Sequence, residues 1–244
     1  MRYATRQAGA LAIAGLLAVP LLATQGYEST SARGVAPSSG STVAGAARVV
    51  DGDTIVIGDV RVRLEGIDAP ETSQNCSRSL IGNWACGHEA ARHLDRLVRG
   101  RQVECRSVGA DRYGRMLGIC TVAGRDINAA MIRDGMAWAF VRYSTRYVGI
   151  EAQARQKKLG IWQGKAQRPW DYRAEQWTSA EAASRAEAPA GCVIKGNITN
   201  KGRLYHTPWS HWYARTKIDT AKGERWFCNE AEAVAAGWRP ASIH

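Results

Sequence analysis

The sequence predicts an α+β protein: a five-stranded β-barrel with about three helices, followed by a small cysteine-containing α+β module. Three observations point there. Short runs rich in β-branched residues recur between turn signals in the first two thirds of the chain. Three stretches between or after those runs carry apolar residues at helical spacing. Beyond a stretch rich in Ala, Glu, Ser and Gln, residues 191 to 244 hold two cysteines and seven aromatic residues, enough for a small core of their own.

In chain order, Arg2 and Arg6 precede an uncharged, mostly apolar run from Ala8 to Ala23, so residues 1 to 26 read as a signal peptide or a retained membrane anchor. Either reading places the rest of the chain outside the cytoplasm: secreted, periplasmic, or held at a membrane by its N-terminus. Residues 27 to 46 are rich in Ser, Gly, Ala and Thr without apolar periodicity, a flexible linker. The barrel domain is expected over 47 to 163. Val49 to Ile57 and Val60 to Leu64 read as strands broken by a Gly58-Asp59 hairpin turn, with Arg61, Arg63 and Glu65 on the face opposite Val60, Val62 and Leu64. Ala90, Ala91, Leu94, Leu97 and Val98 predict a first helix that stops at Gly100. Gln102 to Val108 and Met116 to Val122 predict two more strands, and Trp138 to Val141 a short one. A second helix spans about Asp126 to Asp134, with Asp126 as N-cap, and a third about Tyr147 to Leu159. Five short strands interrupted and followed by helices suit a barrel of the oligonucleotide/oligosaccharide-binding (OB) type. Residues 164 to 190 read as a linker or surface helix behind an aromatic and basic patch that includes Arg168, Trp170, Tyr172, Arg173 and Trp177. In the last module Asn229 and Glu232 form a capping-box pattern and Gly237 closes a short helix.

The chain carries a formal net charge of +11. Basic side chains outnumber acidic ones by 21 to 15 over residues 47 to 177 and by 8 to 4 over residues 191 to 244, so both modules favour an anionic partner, a nucleic acid or an acidic membrane surface. An even count of six cysteines in an exported chain signals disulfides. Cys76 and Cys86 bracket a polar loop, Cys105 and Cys120 sit on consecutive strands, and Cys192 and Cys228 bracket the last module, which predicts those three pairs. A zinc site through His206 and His211, in H-x4-H spacing, is the competing reading for the last module.

The chemistry-bearing residues fall in three segments. Asp51-Gly52-Asp53-Thr54 is an acidic turn. Arg63-Leu64-Glu65-Gly66-Ile67-Asp68-Ala69-Pro70-Glu71 sets a guanidinium and two carboxylates around a proline turn, and Asp111-Arg112-Tyr113-Gly114-Arg115 adds a second arginine. Carboxylates from two segments can converge on one hard cation, and an arginine fork matches phosphate geometry. Taken singly, each is also an ordinary solvated turn. In order and wording the three segments, continuing to Gly160-Ile161-Trp162, resemble the staphylococcal (micrococcal) nuclease family over residues 47 to 163. That resemblance implies a Ca²⁺ cofactor held by the carboxylates of Asp53 and Asp68 and the backbone carbonyl of Ala69, where family members often carry Thr. It also implies Glu71 as the base acting on water, Arg63 and Arg115 as catalytic arginines, and Tyr113 and Tyr143 as substrate-contacting residues. The last module resembles the small sunset domain found behind bacterial nuclease-like domains.

The leading expectation is an exported Ca²⁺-dependent endonuclease of low sequence specificity acting on DNA and RNA and leaving 3′-phosphates, a monomer with no protein partner implied. The alternative is a non-catalytic nucleic-acid-binding OB-fold protein of the cell envelope, since basic surfaces and aromatics bind without chemistry. A further reading has the last module engaging envelope polymer. All site motifs precede Gly164, so the last module is expected to be dispensable for the chemistry.

Overall fold

The computed structural model describes Met1, residues 38–78 and residues 82–241. The expected signal or anchor at residues 1 to 26 lies outside the described residues, as does most of the linker that follows it. Among the described residues no helix is long and apolar enough to cross a membrane.

Five strands close into a barrel. β1 (Thr42–Val49) pairs antiparallel with β2 (Thr54–Ile57) and, on its other edge, with β7 (Gln102–Ala110). β2 pairs with β3 (Val60–Leu64), and β7 with β8 (Met116–Val122). β3 then runs parallel to β8 through Val62↔Met116 and Leu64↔Gly118, which closes the ring. Period-two alternation drives this closure: Val103, Cys105 and Ser107 of β7 point inward between exposed Gln102, Glu104 and Arg106. Gly118 is required at the seam, because a Cβ there would stand 2.5 Å from Val62 Cγ1. Cys105 and Cys120 face each other in register and are disulfide-bonded. This is the expected OB-type barrel, with one strand assigned differently. The run from Val49 to Ile57 is two strands separated by the acidic turn, and the first begins at Thr42, inside the segment expected to be a linker. Alternating small residues, Ala44, Ala46 and their neighbours, hid that strand because they lack the β-branched signal.

Two short strands, β4 (Ile67–Asp68) and β10 (Trp138–Ala139), pair outside the barrel, so the expected Trp138 strand is two residues long and holds Asp68 rather than the barrel wall. β5 (Cys76–Arg78) and β6 (Gly82–Trp84) form a hairpin joined to the next helix by the Cys76–Cys86 disulfide. β9 (Arg125–Asp126) folds back antiparallel on the end of β8.

Three helices cover the barrel. α1 (Cys86–Val98) buries Ala90, Ala91, Leu94 and Val98, the positions its periodicity marks. α2 (Ile127–Arg133) is capped by Asp126, whose carboxylate accepts from Ala129 N–H at 2.8 Å. α3 (Val148–Gln156) is shorter than expected and stops ahead of Lys158, which has a positive φ of 52°.

The stretch expected as linker or surface helix folds as α4 (Pro169–Ser184), started by Pro169 in its first turn. The last module is a four-stranded sheet in the order β13 (Arg225–Phe227), β11 (Ile194–Thr199), β12 (Gly202–His206), β14 (Arg239–Pro240), with α5 (Glu230–Ala235) packed on it. Ile194, Tyr205, Phe227, Ala233 and Trp238 form its core, Trp177 of α4 packs against that core, and Cys192 is bonded to Cys228. Asn229 caps α5 by accepting from Glu232 N–H at 2.9 Å, while the Glu232 carboxylate accepts from Cys228 N–H instead of the Asn229 amide a capping box uses.

Candidate active site

β3 delivers Arg63 to the acidic turn. Alternation buries Val62 and Leu64 in the barrel and turns Arg63 outward, and the Thr54↔Arg63 register sets it beside Asp53. Its two terminal nitrogens donate to different carboxylates, Nη1 to Asp53 Oδ1 at 2.8 Å and Nη2 to Asp68 Oδ1 at 3.0 Å. Asp53 comes from the β1–β2 turn and Asp68 from β4, so one guanidinium ties three chain segments together. The second Asp53 oxygen accepts from Ala69 N–H at 3.1 Å. Gly52 permits that approach, since a Cβ there would stand 2.6 Å from Ala69 Cβ and 3.0 Å from Ala90 Cβ.

Glu71 follows the Pro70 turn, one loop from Asp68. Its partner is a residue the sequence reading passed over: Arg173 of α4 donates from Nη1 to Glu71 Oε1 at 2.6 Å and to Asp68 Oδ1 at 3.1 Å, and from Nη2 to Asp68 Oδ2 at 2.7 Å. The site motifs all precede Gly164, as expected, but this contact to them comes from beyond it. A signal existed: Pro169, Arg173, Trp177, Ala180 and Ser184 recur at helical spacing on the side of α4 turned to the protein, and an arginine in such a row calls for a buried acid.

Burial governs the electrostatics. It pushes Asp53 up to about 7 against the lowering influence of Arg63, and Glu71 up to about 8 against that of Arg173. Asp68 is fully buried too, but Arg63 and Arg173 together overcome its desolvation and hold it below the usual carboxylate range. Both guanidiniums are locked in the charged form by these acids.

Arg115 stands just ahead of Met116, the residue that pairs with Val62, so the closing seam brings it to the start of the strand beside that of Arg63. Its Nε donates to Asp111 Oδ2 at 2.6 Å, and Tyr113 lies between Arg112 and Arg115, whose guanidinium carbons are 4.8 and 5.3 Å from its ring centre. Tyr143 is 68% exposed and touches Phe140 edge-on at 5.1 Å. Phe140 in turn stacks on Trp170 of α4 at 5.4 Å.

The oxygen donors of Asp53, Asp68 and Ala69 are of the type a hard divalent cation takes. Among the described residues no three acidic, histidine or cysteine side chains stand ready-grouped for a metal, and the guanidiniums of Arg63 and Arg173 bond these carboxylates. In the last module His206 and His211 have separate partners, Asn197 Oδ1 at 2.9 Å and His88 at 3.2 Å, and both cysteines are in the disulfide.

Comparison with known proteins agrees with this geometry. A family described as staphylococcal nuclease homologue matches residues 61–164. The chain is 39% identical over 122 residues to a protein described as an uncharacterized endonuclease of Escherichia coli O157:H7, covering 47% of this chain and 73% of that protein. It is 35% identical over 144 residues to the micrococcal nuclease of Shigella flexneri, covering 52% and 77%. The chain belongs to the staphylococcal nuclease family. It is also 40% identical over 126 residues to the succinoglycan biosynthesis protein ExoI of Rhizobium meliloti, spanning 49% of this chain and 64% of that protein. The family match begins after Asp53, yet the fold seats Asp53 on Arg63. The C-terminal region matches a family described as ArfC over residues 173–240. Arg173 therefore lies outside the nuclease match and opens the second one.

Proposed function

We propose that this nuclease-family chain is an exported, Ca²⁺-dependent endonuclease that hydrolyses DNA and RNA phosphodiester bonds with low sequence specificity. The observation that carries the reading is the Arg63 fork, which gathers Asp53 and Asp68 beside Glu71 from separate chain segments in a buried cluster. Three disulfides support an oxidising compartment, and the +11 charge an anionic polymer as substrate.

Asp53, Asp68 and the Ala69 carbonyl would hold the cation, which when bound supplies positive charge against the phosphoryl oxygens. Glu71, in its carboxylate form, takes the proton of the attacking water. Arg63 and Arg115 fork the phosphate oxygens and stabilise the charge of five-coordinate phosphorus better than a lysine does. Tyr113, whose ring lies close to the guanidiniums of Arg112 and Arg115, contacts phosphate or sugar, and exposed Tyr143 stacks on a base.

The test incubates the purified protein with single-stranded DNA, duplex DNA and RNA, with Ca²⁺ or with chelator, and analyses the ends. Cleavage of all three that needs Ca²⁺ and leaves 3′-phosphates is expected. Tight binding without cleavage at any Ca²⁺ concentration would leave the non-catalytic binding barrel as the correct reading.

A further inference from the structure

We propose that Arg173 is a built-in counter-cation of the nuclease site: it competes with the divalent cation for Asp68 and Glu71 and so sets the cation concentration at which the site loads. The inference rests on the cation-assisted nuclease reading above and adds a residue outside the nuclease match.

The bonding is the first argument. Arg173 contacts both oxygens of Asp68, and Arg63 contacts one of them as well, so each oxygen of this fully buried carboxylate already accepts from a guanidinium. A hard cation takes the same lone pairs at shorter range, and a guanidinium beside it would repel it in a medium that screens poorly. Cation and Arg173 are therefore alternatives on Asp68.

Charge is the second. In the fully deprotonated form that a cation takes, Asp53, Asp68 and Glu71 face two guanidiniums, which leaves one negative charge in the cluster. Withdrawing Arg173 leaves two, the complement of a divalent ion. Arg63 is a poor candidate for withdrawal, because it belongs to a barrel strand and also binds Asp53.

Mobility is the third. Arg173 reaches in on a long side chain that is 24% exposed, so it can swing toward solvent without moving its helix. The helix is independently fixed: Tyr172 Oη lies 2.9 Å from Ser73 Oγ, and Trp170 stacks on Phe140. Once displaced, the guanidinium remains beside the site.

The experiment is a calorimetric Ca²⁺ titration of the chelator-stripped full chain, as parent, Arg173→Gln and Arg173→Lys, with thermal melting of each form with and without Ca²⁺. Arg173→Gln should bind Ca²⁺ more tightly by about tenfold or more, and Arg173→Lys, charged but without the fork, by an intermediate factor. Metal-free Arg173→Gln should melt below the parent, because Asp68 and Glu71 lose a buried partner, and Ca²⁺ should close most of that gap. Equal or weaker Ca²⁺ affinity in folded Arg173→Gln would overturn the proposal. If that variant does not fold, Arg173→Lys decides by the same criterion. Cleavage by the parent is measured alongside: a parent that neither binds Ca²⁺ nor cleaves sinks the nuclease reading, whereas one that does both while the variants bind no tighter sinks this inference alone.

Discussion

A buried carboxylate destabilises a protein by several kcal/mol unless it is paired, and this site buries two, Asp53 and Asp68, with the partly buried Glu71 beside them. Two forked guanidiniums resolve the conflict, and a lysine in either place could not, because it carries no planar pair of donors. Arg63→Lys and Glu71→Gln, which preserve charge and volume respectively, should lower turnover by about 10²- to 10⁴-fold while oligonucleotide binding remains measurable. Asp53→Asn should mainly raise the Ca²⁺ concentration needed for half-maximal rate, since it removes a formal charge from a hard-cation site. Steady-state kinetics over a Ca²⁺ series separates the two groups; parental rates for both Arg63→Lys and Glu71→Gln at saturating Ca²⁺ would show the assigned roles to be wrong. Gly52 acts through space alone. Its replacement by Ala should destabilise the fold by about 1 to 3 kcal/mol in chemical unfolding, because the new methyl collides with Ala69 and Ala90.

Among the elements, the seam between β3 and β8 matters most, since it closes the barrel and sets Arg63 beside the strand that Arg115 immediately precedes. The Cys105–Cys120 bond fixes β7 to β8 next to that seam, with both sulfurs buried. Replacing both cysteines by Ala should reduce stability by about 2 to 4 kcal/mol, read from denaturant midpoints in oxidising buffer. An unchanged midpoint would mean that the strands are fixed by packing alone. α4 joins the two halves of the chain: Arg173 and Trp170 face the barrel domain, and Trp177 the core of the last module.

At the scale of the whole molecule, the last module touches the barrel domain at several points, among them Ser73 Oγ, which donates to the Trp209 carbonyl at 2.7 Å, the His88–His211 contact and a hydrogen bond between Tyr205 and Arg61. Among the described residues none of 191–241 bonds Asp53, Asp68 or Glu71, although the charge of Glu230 reaches Arg115. Deleting 191–244 while retaining α4 should therefore leave turnover of a short oligonucleotide near the parental value; a collapse in a truncated protein that is still folded would show that the module contributes to the site. The module should also be acid-sensitive. Burial, with Lys195 adding to it, lowers His206 to about 4, and His206 accordingly stays neutral in the folded state. Its folded pKa lies below the unfolded value of roughly 6.5, so the stability it contributes is complete above that value and is lost as pH falls toward 4. His206→Gln should reduce the drop in melting temperature between pH 7 and pH 4.5, and an equal drop in both proteins would place the sensitivity elsewhere.

The sequence by itself determined the barrel, its helices, the three cysteine pairs and the nuclease motifs, because each is written in local terms: period-two or helical spacing, a capping aspartate, a bracketed loop, carboxylates around a proline turn. It missed β1, whose small residues carry little strand propensity and which exists because β2 and β7 flank it. It missed Arg173 for a different reason. The separation of 105 residues between Arg173 and Asp68 has no periodicity to betray it, and an arginine on a polar helix looks the same whether it meets water or a buried acid. Only the packing of α4 against the barrel domain decided that. Desolvation then converts an ordinary surface charge into a cation that Asp68 and Glu71 must keep until another takes its place.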